Sequence, residues 1–382
     1  MRICVISSYP PNRARLSEYG MSLVKELADR PAISAVFVLA DAVLGSKRRS
    51  TEGSKIEIFR VWKADSPLSI LRILPQILKL KPDVVHFNIH FQSYGRKRIA
   101  NFVGLSLVFL CRLLCLKVVV TLHNLAEKVD WQKVGFKNSL LNRVGVLVAT
   151  KLVLSASRVV VTVRSYGKHL EQMYGKKGVL FIPHGISMSK CCPADPEEKV
   201  VLMFGHMCPS KGLPIGLKAF EMLLKERDNV RLVVAGSSHP NFPGYLDEFA
   251  KEPRQKVDFP GYVSAEDLPR LFCSADLVVL PYLTATGTSG VFHLACGYGR
   301  PVVASDLPEI REMVDEGAAA FLVPPGNVKV LKDAILKVLS NADLAAKMGE
   351  QNLMFARKEP WGMVAESYEE TYKGLCACDA YE

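Results

Sequence analysis

Short, largely apolar runs alternate with longer amphipathic stretches along the whole chain. Ile3–Ser7, Val84–Phe87, Val118–Thr121, Val159–Val163 and Leu180–Ile182 show no polar alternation, which predicts strands buried on both faces of a parallel sheet. Val200–Phe204, Val230–Ala235, Leu277–Leu280 and Pro301–Ala304 repeat the habit in the second half. Between such runs, Leu213–Glu226, Ala265–Phe272 and Val328–Leu339 place apolar residues at helical spacing. Alternation of this kind builds parallel sheets covered by helices on both faces. Two series of runs predict two doubly wound α/β domains. The strongest candidate for a membrane span, Phe102–Cys111, has about half of the roughly 20 residues required, and Arg112 and Lys117 interrupt its extension. It predicts a buried or interfacial helix followed by a strand at Lys117–Thr121.

A polar stretch with two prolines, Ile186–Glu198 (ISMSKCCPADPEE), separates the two series. The expected organisation is an N-terminal domain over 1–190, a C-terminal domain over 191–357, and a helix and tail over 358–382. The helix expected around Trp361–Lys373 can pack on either domain, a return to the N-terminal one being one of the two open arrangements. Charge divides at the same place. Residues 1–190 hold 30 Lys and Arg against 11 Asp and Glu, leaving 19 and 27 of the chain's 49 and 38. The N-terminal part is thus +19 and the remainder −8, within a net charge of +11, which suggests domains with different partners.

The balance of 49% hydrophobic and 23% charged residues over 382 positions excludes intrinsic disorder and a disulfide-stapled mini-fold. Met1-Arg2 leads straight into an apolar strand without a signal-peptide h-region, so a cytoplasmic location and reduced cysteines are expected. The ten cysteines lack zinc-finger spacing. The basic excess raises nucleic acid as a partner, but basic residues are not interleaved with stacking aromatics and no recognition motif occurs. Leu71–Lys81, Arg96–Lys117 and Lys133–Lys151 instead mix Lys and Arg with Leu, Ile and Phe. They suit a surface on anionic lipid, or a solvated basic face beside core helices.

Ligands of open α/β sheets bind beyond the carboxyl ends of strands. Five such places carry chemistry. In Ser8–Gly20 (SYPPNRARLSEYG), Arg13, Arg15 and a helix start capped by Ser17 could hold an anion; an ordinary surface loop is the other reading. His86-Phe87-Asn88-Ile89-His90 offers cleft lining, since two histidines without a third ligand argue poorly for zinc. Thr121-Leu122-His123-Asn124 follows a strand, and His123 either faces an interdomain cleft or is a structural histidine. Phe204–Gly212 (FGHMCPSKG) turns at Gly205 and offers His206 and Lys211, a compact positive charge suited to phosphate. Pro281–Val291 (PYLTATGTSGV) is small, hydroxyl-rich and opens a helix, so Thr286, Gly287, Thr288, Ser289, Gly290 and Val291 could bring backbone N–H groups to a phosphate; a flexible turn is the alternative.

The order of strand–PP loop, T-x-H, I-P-x-G-I, F-G-x-x-x-x-x-K-G, F-x-G-Y-V, A-D-L-V-V-L-P, a Gly-rich loop and G-R-P-V-V-A-S resembles retaining glycosyltransferases of family 4 (glycosyl transferases group 1). The likeness spans nearly the whole chain and is strongest over Lys199–Asn327. It implies a GT-B fold, two Rossmann-like domains facing across a cleft, with the acceptor on the N-terminal domain and the nucleotide sugar on the C-terminal one. By resemblance Lys211 contacts the donor pyrophosphate, the Thr286–Val291 loop with Gly205 and His206 surrounds the phosphates, Tyr262 and Val263 hold the base, and His123 lies near the transferred sugar. Arg13, Arg15, Glu18 and Gly20 fall on the acceptor side, Gly20 within a flexible loop. Two features depart from the family pattern. His206 replaces an arginine, and the usual glutamate pair falls on Thr286 and Leu294; a subgroup similarly carries a T/S-S-G loop in place of the first glutamate. The implied activity moves a hexosyl unit from a UDP- or GDP-sugar to a lipid-linked, glycan or phosphate-bearing acceptor. No Asp-x-Asp occurs in the chain, so neither metal nor cofactor is expected. A sugar-nucleotide epimerase or an inactive relative would share the architecture.

Overall fold

The structure is a computed structural model that describes residues 1–13, 16–128, 139–189, 198–285 and 287–377. It divides into two compact units. Unit 1 comprises the described residues of 1–128, 139–185 and 361–377; unit 2 comprises those of 186–360.

Unit 1 begins β1 (Arg2–Ile6), α1 (Ser17–Asp29), β2 (Ala35–Asp41), β3 (Arg49–Glu52), β4 (Ile56–Trp62), α2 (Pro67–Ile70) and α3 (Ile73–Leu80). It continues β5 (Val84–Ile89), α4 (Arg98–Leu113), β6 (Val118–Leu122), α5 (Leu140–Val153), β7 (Arg158–Val161), α6 (Arg164–Tyr174) and β8 (Leu180–Phe181). The sheet order is β3-β4-β2-β1-β5-β6-β7-β8, parallel except for the antiparallel β3–β4 pair. β1, β5 and β6 are central and buried on both faces. Cys4 and Ile6 of β1 enter one core with residues of α3, α4 and α5. Ile3 and Val5 enter the other with α1 and the last helix of the chain. That helix packs on α1 within unit 1. Its buried residues Trp361, Val364, Ala365, Tyr368, Tyr372 and Leu375 recur at helical spacing along one face.

Unit 2 runs β9 (Lys199–Met207), α7 (Leu213–Leu224), β10 (Val230–Ser238), α8 (Tyr245–Ala250), β11 (Val257–Gly261), α9 (Leu268–Ser274) and β12 (Leu277–Leu280). It ends with α10 (Gly290–Gly297), β13 (Val302–Ser305), α11 (Pro308–Asp315), β14 (Phe321–Val323), α12 (Val328–Leu339) and α13 (Ala342–Lys358). The last helix of the chain, α14 (Trp361–Ala377), returns to unit 1. All neighbours in the order β11-β10-β9-β12-β13-β14 are parallel. Along β9, Val201 and Met203 face the α7–α12 core, while Val200 and Leu202 face the α9–α10–α11 core. Each unit is thus a three-layer, doubly wound α/β structure, the class that the alternation of runs predicts.

Four local expectations are corrected. β9 does not turn at Gly205. It continues to Met207, because Gly205 (φ +123°) and Gly236 (φ +127°) pair across the sheet and distort together. A Cβ on Gly236 would lie 2.0 Å from the Gly205 carbonyl oxygen. Ser17 is the first residue of α1 rather than its cap, and its hydroxyl accepts no capping bond. Gly20 lies inside α1, not in a loop; its amide donates to the Leu16 carbonyl, and a Cβ there would meet Ser7 Oγ at 2.5 Å. Cys273 is disulfide-bonded, whereas Cys4, Cys111, Cys115, Cys208, Cys296 and Cys376 are free thiols; sequence spacing does not report which cysteines meet in space. Arg15, Thr286 and the 190/191 boundary lie outside the described residues. Among the described residues no helix is long and apolar enough to cross a membrane.

Candidate active site

In unit 2 the strand-end segments converge through backbone contacts. The Leu283 amide donates to the Ser210 carbonyl, 2.8 Å away, and joins the loop after β9 to the loop after β12. Gly212, at φ +66°, sits so close to Pro281 that a Cβ would come within 1.8 Å of its carbonyl oxygen. Both its left-handed backbone and this approach require glycine. The joined loops set Lys211 over Tyr282, with Nζ 3.6 Å from the ring centroid. The ring face holds the ammonium by cation–π attraction without neutralising it. Tyr282 is buried, and its hydroxyl has no hydrogen-bond partner among the described residues.

Beside these loops lies the start of α10. Ser289 caps it, accepting from the Phe292 amide at 3.3 Å. The Gly290 and Val291 amides belong to the first turn, whose N–H groups have no intrahelical acceptor. Gly287 enters this loop at φ +136°. Thr288 directs its hydroxyl to the Met313 sulfur. His293 is buried, and its Nδ1 lies 2.8 Å from the Ser289 carbonyl, fixing the first turn from below. Val291 lies at the Gly205 end of β9, with Cγ2 3.3 Å from where a Gly205 Cβ would be. The Nδ1 of His206 is hydrogen-bonded to Ser237 Oγ at 3.0 Å. Val263 packs into the same core as Phe204 and Val291, and Tyr262 next to it is exposed. Lys211, the α10 amides and the β9 end thus form a patch of positive and N–H character, suited to a phosphate oxyanion.

In unit 1, His123 follows β6 and is buried. Its hydrogen-bond partners determine its tautomer. A carbonyl can only accept, so Ser7 Oγ donates to the Ser8 carbonyl at 2.8 Å and accepts from Asn88 Nδ2 at 2.9 Å. This orients the Asn88 amide with its oxygen toward His123 Nε2, 2.6 Å away. Nε2 therefore carries the hydrogen, and Nδ1 keeps its lone pair. Burial first, then His184 and His86, holds the His123 pKa well below 6.5, so the ring is neutral. Tyr19 of α1 meets it edge-on at 4.4 Å and also meets Trp361 at 5.0 Å.

Beneath His123 runs a buried relay. Tyr372 contacts His86 Nδ1 at 2.7 Å, His86 Nε2 contacts Thr121 at 2.8 Å, Thr121 contacts Tyr368 at 2.7 Å, and Tyr368 contacts Tyr19 at 3.2 Å. His86 is therefore a satisfied core residue, not cleft lining; burial drops its pKa to about 3. His90 accepts the Gln92 amide on Nδ1 and stabilises its own turn. Arg13 and Glu18 are exposed. Arg60 holds the loop before them through the Tyr9 and Pro10 carbonyls.

Sequence reasoning missed Tyr282, His293, Tyr19 and the Ser7–Asn88 pair as parts of these sites. His293 is signalled by its spacing of four from Ser289. Tyr19, Tyr368 and Trp361 come from opposite ends of the chain, and no local pattern joins them.

Residues 198–341 match the family described as glycosyl transferases group 1. An uncharacterized glycosyltransferase of Methanocaldococcus jannaschii is 30% identical over 159 residues, which is 41% of this chain and 40% of that protein. The phosphatidyl-myo-inositol mannosyltransferase of Mycobacterium leprae is 27% identical over 199 residues, 50% of this chain and 52% of that protein. The chain thus spans about half or less of the length of these curated relatives. Among solved structures, sucrose-phosphate synthase from Thermosynechococcus elongatus superposes with a TM-score of 0.77 at 17% identity, covering 99% of this chain and 100% of that one. Anabaena HepE in complex with UDP and glucose superposes with a TM-score of 0.72 at 19% identity, covering 98% and 99%. The chain accordingly has the GT-B fold, and its residues 198–341 are similar to the glycosyl transferases group 1 family.

Proposed function

We propose that the protein is a retaining glycosyltransferase that moves a hexosyl unit from a UDP- or GDP-sugar to a glycan, lipid-linked or phosphate-bearing acceptor. The observation that carries this reading is the Lys211 ammonium resting on Tyr282, beside the first turn of α10. In the reaction, an acceptor hydroxyl oxygen bonds to the anomeric carbon. The bond from that carbon to the diphosphate breaks with its electron pair, and the hydroxyl proton leaves with the diphosphate. Negative charge grows on the departing oxygens. An ammonium and N–H groups set there beforehand stabilise it without reorganisation. Metal independence is part of the proposal and rests on the absence of Asp-x-Asp from the sequence. Unit 2 takes the donor, with Tyr262 and Val263 toward the base. Unit 1 takes the acceptor, with His123 Nδ1 accepting a substrate hydroxyl. The complexed HepE structure contains UDP, and the Mycobacterium leprae relative is named for mannosyl transfer to phosphatidyl-myo-inositol; both agree with this choice of donor and acceptor classes. The basic excess of residues 1–190 supports a peripheral place on the cytoplasmic face of a membrane.

Product formation from UDP- and GDP-sugars, with and without EDTA, tests the reading. Transfer that survives EDTA is expected; loss restored by manganese would remove metal independence. A second reading, a non-transferring relative, is favoured by Thr286 and Leu294, where the resembling family carries glutamates. Isomerised sugar nucleotide formed without any acceptor would select an epimerase.

A further inference from the structure

α4 packs between α2 and α5 on one side of the unit 1 sheet. The inward stripe of α4 is Ala100, Leu107, Val108 and Cys111, all buried. Its outward stripe is also largely apolar: Ile99, Phe102, Phe109 and Leu113 are exposed and share one face, interrupted there by Ser106. α5 repeats the arrangement. Ala149 and Val153 point inward, while Leu140, Val144 and Leu147 are exposed. The Arg98 guanidinium bonds to Asn142 and ties the starts of the two helices together. Thirteen of the 19 large hydrophobic side chains exposed among the described residues lie between Leu68 and Val148. An ordinary surface helix has one apolar stripe and a polar outer face; these two helices have a second apolar face that meets no core among the described residues.

The charges carried by α4 and α5 themselves have one sign, and the carboxylates nearest to them are tied down: Asp65 accepts the Lys97 amide and Glu127 accepts the Thr150 hydroxyl. No carboxylate occurs between Asp83 and Glu127 or between Asp130 and Glu171, so α4 and α5 contain none. Exposed Lys97 and Arg98 start α4, exposed Lys151 lies near the end of α5, and exposed Arg72 follows α2, which packs on α4. The complementary surface is therefore anionic at its boundary and apolar beneath, which is the profile of an anionic bilayer. A second copy would set two basic, carboxylate-free faces against each other. A nucleic acid would offer no apolar phase to the outward leucines. At 16 residues, α4 is too short to span a bilayer of about 30 Å, so it can only lie flat.

We propose that the outward faces of α4 and α5 form an interfacial plane that rests on an anionic membrane. Phe102 and Phe109 enter the acyl boundary, and Lys97, Arg98 and Lys151 sit among headgroup phosphates. The proposal deepens the lipid-facing part of the function given above and rests on it for its purpose.

Full-length protein is mixed with phosphatidylcholine vesicles, with or without phosphatidylglycerol, and bound protein is separated by flotation. Binding is expected only with phosphatidylglycerol, weakening with salt. The double reversal K97E/R98E should lower the partition coefficient about tenfold or more, and F109D should lower it without moving the thermal midpoint. In F102W, tryptophan emission should shift to the blue on binding and be quenched by brominated lipid. Absence of binding at low salt overturns the proposal. So does binding that leaves F102W emission unchanged, which would be electrostatic adhesion alone. Self-association of the free protein that F109D abolishes would assign the face to a second copy instead, and saturable capture of an acidic protein without vesicles would assign it to a protein partner. Nucleotide-induced thermal stabilisation, recorded on the same variants, should be unchanged; its loss in wild type would count against the donor site and leave the membrane result standing.

Discussion

Lys211 and Asn88 are the residues at which the account is sharpest. Lys211→Ala removes the only positive side chain assigned to the departing diphosphate, and a loss of about 10²–10³ in kcat is expected, the scale of one prepositioned donor. Because Lys211 lies on a ring face rather than in the core, its thermal midpoint should stay within a degree or so of wild type. Unchanged turnover would exclude Lys211 from the site. Asn88→Ala frees the Nε2 hydrogen of His123 and lets the tautomers mix. A roughly tenfold drop in kcat is expected, about 1.4 kcal/mol, near the value of one hydrogen bond. Nitrogen-15 spectra of the imidazole should show a single Nε2–H tautomer in wild type and averaging in the variant; averaging already present in wild type would contradict the Ser7–Asn88–His123 chain. Lys211 stood out in the sequence only in combination, within the F-G-x-x-x-x-x-K-G segment of the resembling family, since a lone lysine reads equally as a solvated surface group. Asn88 was visible only as one polar position in a strand end. Its role depends on Ser7 and His123, each more than thirty residues away in sequence.

At the scale of elements, α14 closes one face of unit 1 and carries two of the three tyrosines that complete the buried relay. This makes folding sensitive to acid. Burial lowers the pKa of His86 to about 3, that of His123 well below 6.5, and that of His184 to about 4, the last despite the opposing Gly185 carbonyl. Unfolded imidazoles titrate near 6.5. Below that pH the unfolded chain binds more protons, so stability is full above 6.5 and falls as pH drops toward 4 and then 3. Each fully buried imidazole contributes a slope of about 1.4 kcal/mol per pH unit in that window. Thermal midpoints should fall steeply between pH 6.5 and 4.5, and less steeply in His86→Gln; a flat profile would contradict the burial of these rings. In unit 2, Gly212→Ala should prevent the two loops from meeting and abolish nucleotide binding, since a Cβ would strike the Pro281 carbonyl. Binding retained by this variant would show that the loops are not held as described. The run Leu277–Leu280 was read with its limits intact, because a strand buried on both faces leaves no polar interruption, whereas the equally apolar β2 was not singled out. β4 was missed because its buried Ile56 and Ile58 are interrupted by Glu57, and Arg60 turns back to support the Pro10 loop. β11 was missed because only half its side chains are shielded.

For the whole molecule, the alternation of runs and the reversal of charge near residue 190 made the two α/β units legible, since both follow from local composition. The return of α14 to unit 1 was only one of two open arrangements, because an amphipathic helix states that it needs a surface but not which one. The central claim is that unit 2 is a nucleotide-sugar site built on Lys211 and α10. Its most direct test is calorimetric titration of the full-length protein with UDP, GDP and ADP and their sugars, repeated on Lys211→Ala. A ligand that binds only the folded state at 100 times its Kd should also stabilise it by about 2.7 kcal/mol. Saturable binding of UDP or GDP and one of its sugars is the expected result, with affinity lowered at least about tenfold in the variant. Failure of every nucleotide to bind, or equal binding by wild type and Lys211→Ala, would contradict the account.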